Sequence, residues 1–292
     1  MHRGDITANG LRFAYLEAGE GPLVLLLHGF PDNAHTWERQ MPVLAKAGYR
    51  VVAPFLRGYP PTEVPGAGYF DLATLATDIK SLIDGLNDGK PCFLVGQDWG
   101  AAISYAVLAA YPEWVKRAVI LAVPHPTEVR RTIRKSPKHT LRSFHWFLFQ
   151  LPWLPEALCR ANDFAFIEFL WKLWSPAYDD RAHVAQIKRM LAESGALEAT
   201  LAYYRAMFRE ANADPALEAV RERLLNPIAV PTRVLCGSRD MRGQMLPRQA
   251  DLFAGDYEWS IVQGAGHFLH REKPVEVNRL ILDWLGPAVP AA

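Results

Sequence analysis

The chain is short of cysteine, of long apolar runs and of net charge, and each shortage removes a class of protein. Its three cysteines, Cys92, Cys159 and Cys236, are odd in number and far apart in 292 residues. They fit neither a disulfide framework nor a metal site, and Cys92 and Cys236 lie in apolar, strand-like runs as small buried residues. A reducing, cytoplasmic location is expected. No segment of signal-peptide type follows the N-terminal charges, and the uncharged apolar runs are too short to span a bilayer. Lysine and arginine total 32 against 31 aspartate and glutamate, a formal charge of +1. That balance implies no basic face, so neither nucleic acid nor a membrane is an expected partner. What the chain does have is a 50% share of apolar residues, enough for a large core and one or two domains.

Residues 6–18 alternate around Asn9-Gly10, a strong hairpin pair. Leu23 to Leu27 is a continuous apolar run, as expected of a strand buried on both faces. Further strands are expected at 50–54, 92–95, 118–123, 233–236 and 257–262. Helical spacing marks 71–87, 101–110 and 274–285. Strands alternating with helices predict an α/β fold with a mostly parallel sheet covered on both faces. The alternation stops between about 125 and 228. That stretch is helical by pattern, rich in aromatics, and broken by Pro152, Pro155 and Pro176. It reads as an inserted cap over the carboxyl edge of the sheet, where open sheets bind ligands. Its aromatics could instead fill only the core of an ordinary helical subdomain. The expected division is a core of 1–124 and 229–292 with a cap of 125–228. No repeats occur, and the tail from Gly286 to Ala292 is expected to fray.

The segment Val95-Gly96-Gln97-Asp98-Trp99-Gly100-Ala101 reads as a strand, a tight turn with glycine on both sides, and a helix. That is the geometry of a nucleophile elbow. Its reactive position holds Asp98 in place of the usual serine. A carboxylate there attacks saturated carbon by displacement and leaves an alkyl ester for water to cleave. The helix N-terminus keeps such an anion ionised; alone, Asp98 could be a plain N-cap. Beside it, His28-Gly29-Phe30-Pro31 follows the first buried strand. The backbone N–H groups of Phe30 and Trp99 can converge on one oxyanion. Pro31 suggests a cis bond, and His28 reads as a structural hydrogen-bonding residue. His267, in Gly264-Ala265-Gly266-His267-Phe268, is the candidate general base, with His270 as its competitor. Asp240, in Gly237-Ser238-Arg239-Asp240, would orient it; the plainer reading pairs Asp240 with Arg239 or Arg242. The order nucleophile, acid, histidine is that of hydrolases.

These segments, with Leu56-Arg57-Gly58-Tyr59, resemble in order and spacing the α/β-hydrolase superfamily, in the branch of epoxide hydrolases and haloalkane dehalogenases. The resemblance covers nearly the whole chain. It implies an α/β-hydrolase fold with a helical cap, no cofactor and no metal. Epoxide hydrolases use two cap residues as donors to the epoxide oxygen. Leu201-Ala202-Tyr203-Tyr204-Arg205 resembles the motif of the second, which gives Tyr204 that role. The first falls in Phe144-His145-Trp146-Phe147-Leu148-Phe149-Gln150, where no tyrosine occurs and His145 is the best candidate. Trp146, Tyr203 and Phe149 are expected to contact substrate. The implied reaction turns a small apolar epoxide and water into a vicinal diol, and a homodimer is possible. Gln97 and Phe55 depart from this branch, which often has histidine and aspartate there.

A dehalogenase is the alternative. It would use the same Asp98, His267 and Asp240, with Trp99, Trp146 and His145 around a halide. Fluoroacetate dehalogenases, however, carry arginines where this chain has Trp99 and Ala102. A non-enzymatic binding protein is a third class, set against the presence of nucleophile, base, acid and oxyanion loop together.

Overall fold

A computed structural model describes residues 1–288, and the end of the tail expected to fray, 289–292, lies outside them. Eight strands form one sheet: β1 (His2–Ala8), β2 (Leu11–Ala18), β3 (Leu23–Leu27), β4 (Arg50–Pro54), β5 (Cys92–Gln97), β6 (Val115–Leu121), β7 (Thr232–Gly237) and β8 (Tyr257–Val262). Their order across the sheet is β1-β2-β4-β3-β5-β6-β7-β8. β1 and β2 form the antiparallel hairpin around Asn9-Gly10, with Ala8 opposite Leu11. From β4 to β8 all neighbours are parallel. β3 is buried at every residue, which is why it reads as an unbroken apolar run.

The helices are α1 (Met41–Lys46), α2 (Leu72–Asn87), α3 (Trp99–Ala110), α4 (Pro126–Ile133), α5 (Pro137–Arg142), α6 (Phe144–Leu148), α7 (Leu154–Trp174), α8 (Arg181–Leu191), α9 (Ala196–Ala206), α10 (Glu218–Arg223), α11 (Leu269–Glu272) and α12 (Pro274–Leu285). α2 starts where Asp71 accepts the N–H groups of Ala73 and Thr74, and its buried face repeats at Leu75, Ile79, Leu82 and Leu86. α4 to α10 all lie between β6 and β7. Two of the three prolines read as breaks there, Pro152 and Pro176, stand outside helices. Pro155 instead opens α7, in the first turn, where no intrahelical N–H partner is lost. The actual interruption is a kink over 161–164, where Asn162, Asp163 and Phe164 take positive φ.

This helical segment is fastened to the loops that leave the carboxyl ends of the strands. The Trp171 indole N–H donates to the Pro31 carbonyl and its ring stacks on Phe268, 3.6 Å between centroids. His183 meets Asp32 at 2.7 Å with both side chains buried. Burial pushes the Asp32 carboxyl up, but the His183 and Arg271 charges outweigh it and hold it at about 2. Ser175 donates to Glu272, and the His267 N–H donates to the Trp174 carbonyl. All three cysteines are free and buried. Among the described residues no helix is long and apolar enough to cross a membrane.

Candidate active site

The elbow follows from two close approaches. A side chain on Gly96 would run into the Gly100 carbonyl and the Ser104 hydroxyl, and one on Gly100 into the Leu27 and His28 carbonyls. Glycine at both positions therefore lets α3 start directly against β5 and β3. Between them Asp98 has φ 53 and ψ −116. Holding a non-glycine residue there costs on the order of 1–3 kcal/mol. The Asp98 carbonyl accepts from Ala101 and Ala102, which ties the turn to α3. The side chain, 13% exposed, stands clear of the helix it precedes and makes no capping bond, so the plain N-cap reading does not hold.

β3 and β5 are adjacent, with Leu27 opposite Gly96, so the loop after β3 passes Asp98. The Phe30 N–H donates to Asp98 Oδ1 at 2.8 Å, and the Phe30–Pro31 bond is cis. Gly29 is needed because a Cβ there would strike Asp98 and the Trp99 nitrogen. Trp99 stands at the first position of α3, where an N–H has no intrahelical acceptor. His28 is fully used by the loop: Nδ1 bonds the Gly29 carbonyl and Nε2 accepts from the Leu56 N–H. Burial pushes it down to about 4, so it is neutral and structural.

His267 reaches the elbow from the loop after β8. Its Nε2 lies 3.2 Å from Asp98 Oδ2, off hydrogen-bond geometry and without another partner. Its Nδ1 meets Asp240 Oδ2 at 3.2 Å. Burial disfavours the imidazolium, but the carboxylates of Asp240 and Asp98 on either side outweigh it and raise the ring above the ordinary imidazole value. Asp240 follows β7. Burial alone would push its carboxyl up; Arg242, 3.7 Å away, and His267 hold it below the usual range. Asp240 thus contacts both Arg242 and His267. His270 is excluded as the base. It is buried against Thr36 at 2.7 Å, and burial pushes it down to about 3.

Tyr204, His145 and Phe149 of the helical segment form an aromatic cluster with Trp99 and Phe30, the two residues whose backbones adjoin Asp98. Tyr204, on α9, is edge-on to Trp99 at 5.1 Å, Phe30 at 5.4 Å and Phe149 at 5.0 Å. His145, on α6, is 5.7 Å from the Tyr204 ring and 5.9 Å from Phe149. Each edge-on pair contributes about 0.5–1.5 kcal/mol beyond its buried area. Burial and the Asp98 charge push the Tyr204 phenol well above its ordinary value. Burial, with the Arg242 and His267 charges, pushes His145 well below its own. At neutral pH both side chains are therefore uncharged. His145 Nδ1 is buried without a partner.

Two residues expected to contact substrate are set back. Tyr203 is fully buried, with its hydroxyl donating to the Arg57 carbonyl and its ring edge-on to Trp99 at 5.3 Å. It braces Trp99 from behind. Trp146 is half-buried, and among the described rings it meets His145 alone, at 6.2 Å. The indole beside His267 is instead Trp174, at the end of α7, 5.0 Å from His145 and 5.3 Å from His267. In the sequence it is one aromatic among many, and what positions it is tertiary: the neighbouring Ser175 hydroxyl accepts the Phe268 N–H. Gln97 is buried and its amide reaches toward the His267 carbonyl at 3.5 Å.

A family model described as alpha/beta hydrolase fold matches residues 22–274. The chain belongs to the α/β-hydrolase family. Among its α/β-hydrolase relatives, AB hydrolase superfamily protein YfhM of Bacillus subtilis (strain 168) is 32% identical over 96% of each chain. Epoxide hydrolase 4 of Homo sapiens is 32% identical over 96% of this chain and 77% of its own. The crystal structure of epoxide hydrolase A from Mycobacterium thermoresistibile superposes with a TM-score of 0.78 at 28% identity, covering 97% of this chain and 98% of that one.

Proposed function

We propose that this α/β-hydrolase converts an apolar epoxide to a vicinal diol through an alkyl ester on Asp98, with no cofactor. The observation that carries the reading is the setting of Asp98. One oxygen is held by the Phe30 N–H, the other faces His267, and Tyr204 packs edge-on against Phe30 with His145 beside it. Relatives named epoxide hydrolases support it. Residues 125–228 act as the cap that excludes water from the first step.

Asp98 attacks one ring carbon from the side opposite the oxygen, and that carbon–oxygen bond breaks. Tyr204, protonated because its phenol is raised, gives its proton to the leaving oxygen. His145, neutral, contributes a hydrogen bond, and its unpartnered nitrogen marks a group that its packing leaves incomplete. In the second step His267 takes a proton from water, and the hydroxide adds to the Asp98 ester carbonyl. The Phe30 and Trp99 amides receive the oxyanion. Collapse expels the diol oxygen, which takes the proton from His267. The proton of the new carboxylic acid returns to Tyr204.

Incubating the protein with styrene oxide and, separately, with 1-bromobutane tests the assignment. The expected products are 1-phenylethane-1,2-diol from the first and no bromide from the second. Bromide without diol would make it a dehalogenase. Tyr204→Phe is expected to slow Asp98 alkylation about a hundredfold, the low end for loss of a general acid, because the His145 hydrogen bond remains. Alkylation at the wild-type rate would remove Tyr204 from the mechanism.

A further inference from the structure

A cavity of about 30 Å³ lies against Asp240 and Trp174, and its charged wall is made by Arg142, Arg239 and Arg242 with His139. That is room for about two waters, the size of one carboxylate group. Only Arg242 has an acidic neighbour there, Asp240 at 3.7 Å. Arg142 and Arg239 enter no ion pair among the described residues. His139 Nδ1 is held by Ser136, and its Nε2 is buried without a partner. The remaining wall is Ser143 with the apolar Val129, Ile133, Met241 and Met245.

The charge is segregated as well, although Arg131 of the same segment pairs with Asp251 at 2.8 Å. Between residues 129 and 155 the chain carries Arg130, Arg131, Arg134, Lys135, Lys138 and Arg142 and no acid at all, in a protein whose total charge is +1. A field of that sign draws anions toward the cavity. The cavity is also next to the reacting centre. Trp174 lines it and stands 5.3 Å from His267 and 5.0 Å from His145, so one indole separates the two spaces. Positions 99 and 102, beside the nucleophile itself, are Trp99 and Ala102, whose side chains carry no positive charge.

We propose that Arg142 and Arg239, backed by Arg242, form a carboxylate-binding subsite, and that the preferred epoxide bears a carboxylate joined to the ring by a flexible apolar chain. This rests on the epoxide reading given above. The chain would lie along Trp174, Val129 and Ile133, and the two arginines would make charge-assisted bonds to the carboxylate.

The test pairs 10,11-epoxyundecanoate with its methyl ester, and adds calorimetric titration with 10-undecenoate, which has no ring to open. The protein is expected to prefer the acid. In Arg142→Gln/Arg239→Gln the acid-to-ester ratio of kcat/KM should fall about tenfold or more, mainly through KM. Lys135→Gln/Lys138→Gln removes the same charge from the same segment outside the cavity and should leave the ratio nearly unchanged. Undecenoate should bind the wild type and lose that binding with the two arginines. An unchanged ratio in the arginine variant, or an equal fall in the lysine variant, would overturn the subsite in favour of a diffuse field. If neither epoxide is opened but undecenoate binds through the arginines, the subsite stands and the epoxide reading fails. If both are opened without preference and undecenoate does not bind, the reverse holds.

Discussion

Asp98→Asn is expected to lower initial turnover of styrene oxide about a thousandfold or more while leaving the fold intact, as measured by product formation and circular dichroism. The amide keeps the volume of the carboxylate, and its carbonyl oxygen can still accept the Phe30 N–H. The strained turn is held by Gly96, Gly100 and the backbone bonds of Ala101 and Ala102, none of which the change touches. What disappears is the nucleophile. Some activity should return with time as the asparagine deamidates, and the recovery should track the mass change of that one residue. Turnover within tenfold of wild type from the outset, with no deamidation, would mean that another group attacks the ring.

The sheet was legible because its strands are buried on both faces. β3 and β4 fall at their expected bounds, since a run such as Leu23 to Leu27 has no other stable place; β8 does so too, although it is an edge strand with Glu258 and Trp259 exposed. β6 begins at Val115, three residues early, because Lys116 and Arg117 are exposed and hide the strand from a reading based on apolar runs. β1 begins at His2 for the same reason: it is an edge strand with alternate residues in solvent. The kink in α7 was invisible, because Ala161 to Phe164 contains neither proline nor glycine.

At the site, legibility followed backbone constraint. Asp98, Phe30, Asp240 and His267 sit in glycine-bounded loops whose conformations leave a sequence signature, and the geometry brings all four together. The helical segment carries no such signature. Which face of α6 or α9 turns inward depends on packing between helices, so Tyr203 and Tyr204 could not be told apart by periodicity. One braces Trp99 through Arg57 and the other faces Phe30. Trp174 went unassigned because its position comes from long-range bonds, the Trp174 carbonyl to His267 and Ser175 to Phe268.

His267→Ala separates the two chemical steps. After exposure to styrene oxide, its intact mass should rise by that of the whole epoxide, with the adduct on Asp98, because displacement needs no base and hydrolysis does. Release of the diol from that ester should be slower than wild type by about a thousandfold. The setting of His267 adds a pH dependence. In the free protein two carboxylates raise its pKa above the ordinary value, so the neutral base is lost as pH falls through a point above about 6.5. Forming the ester removes the Asp98 charge, and with it one of the groups that raise the imidazole. Burial still disfavours the cation, so the ring becomes neutral more readily in the step that needs a base. The acid limb of ester hydrolysis should therefore lie at lower pH than the His267 titration followed by NMR in the free protein. A limb at the same or higher pH would mean that Asp98 does not set the charge of His267. No adduct on His267→Ala, with the wild type active, would mean that the ester never forms.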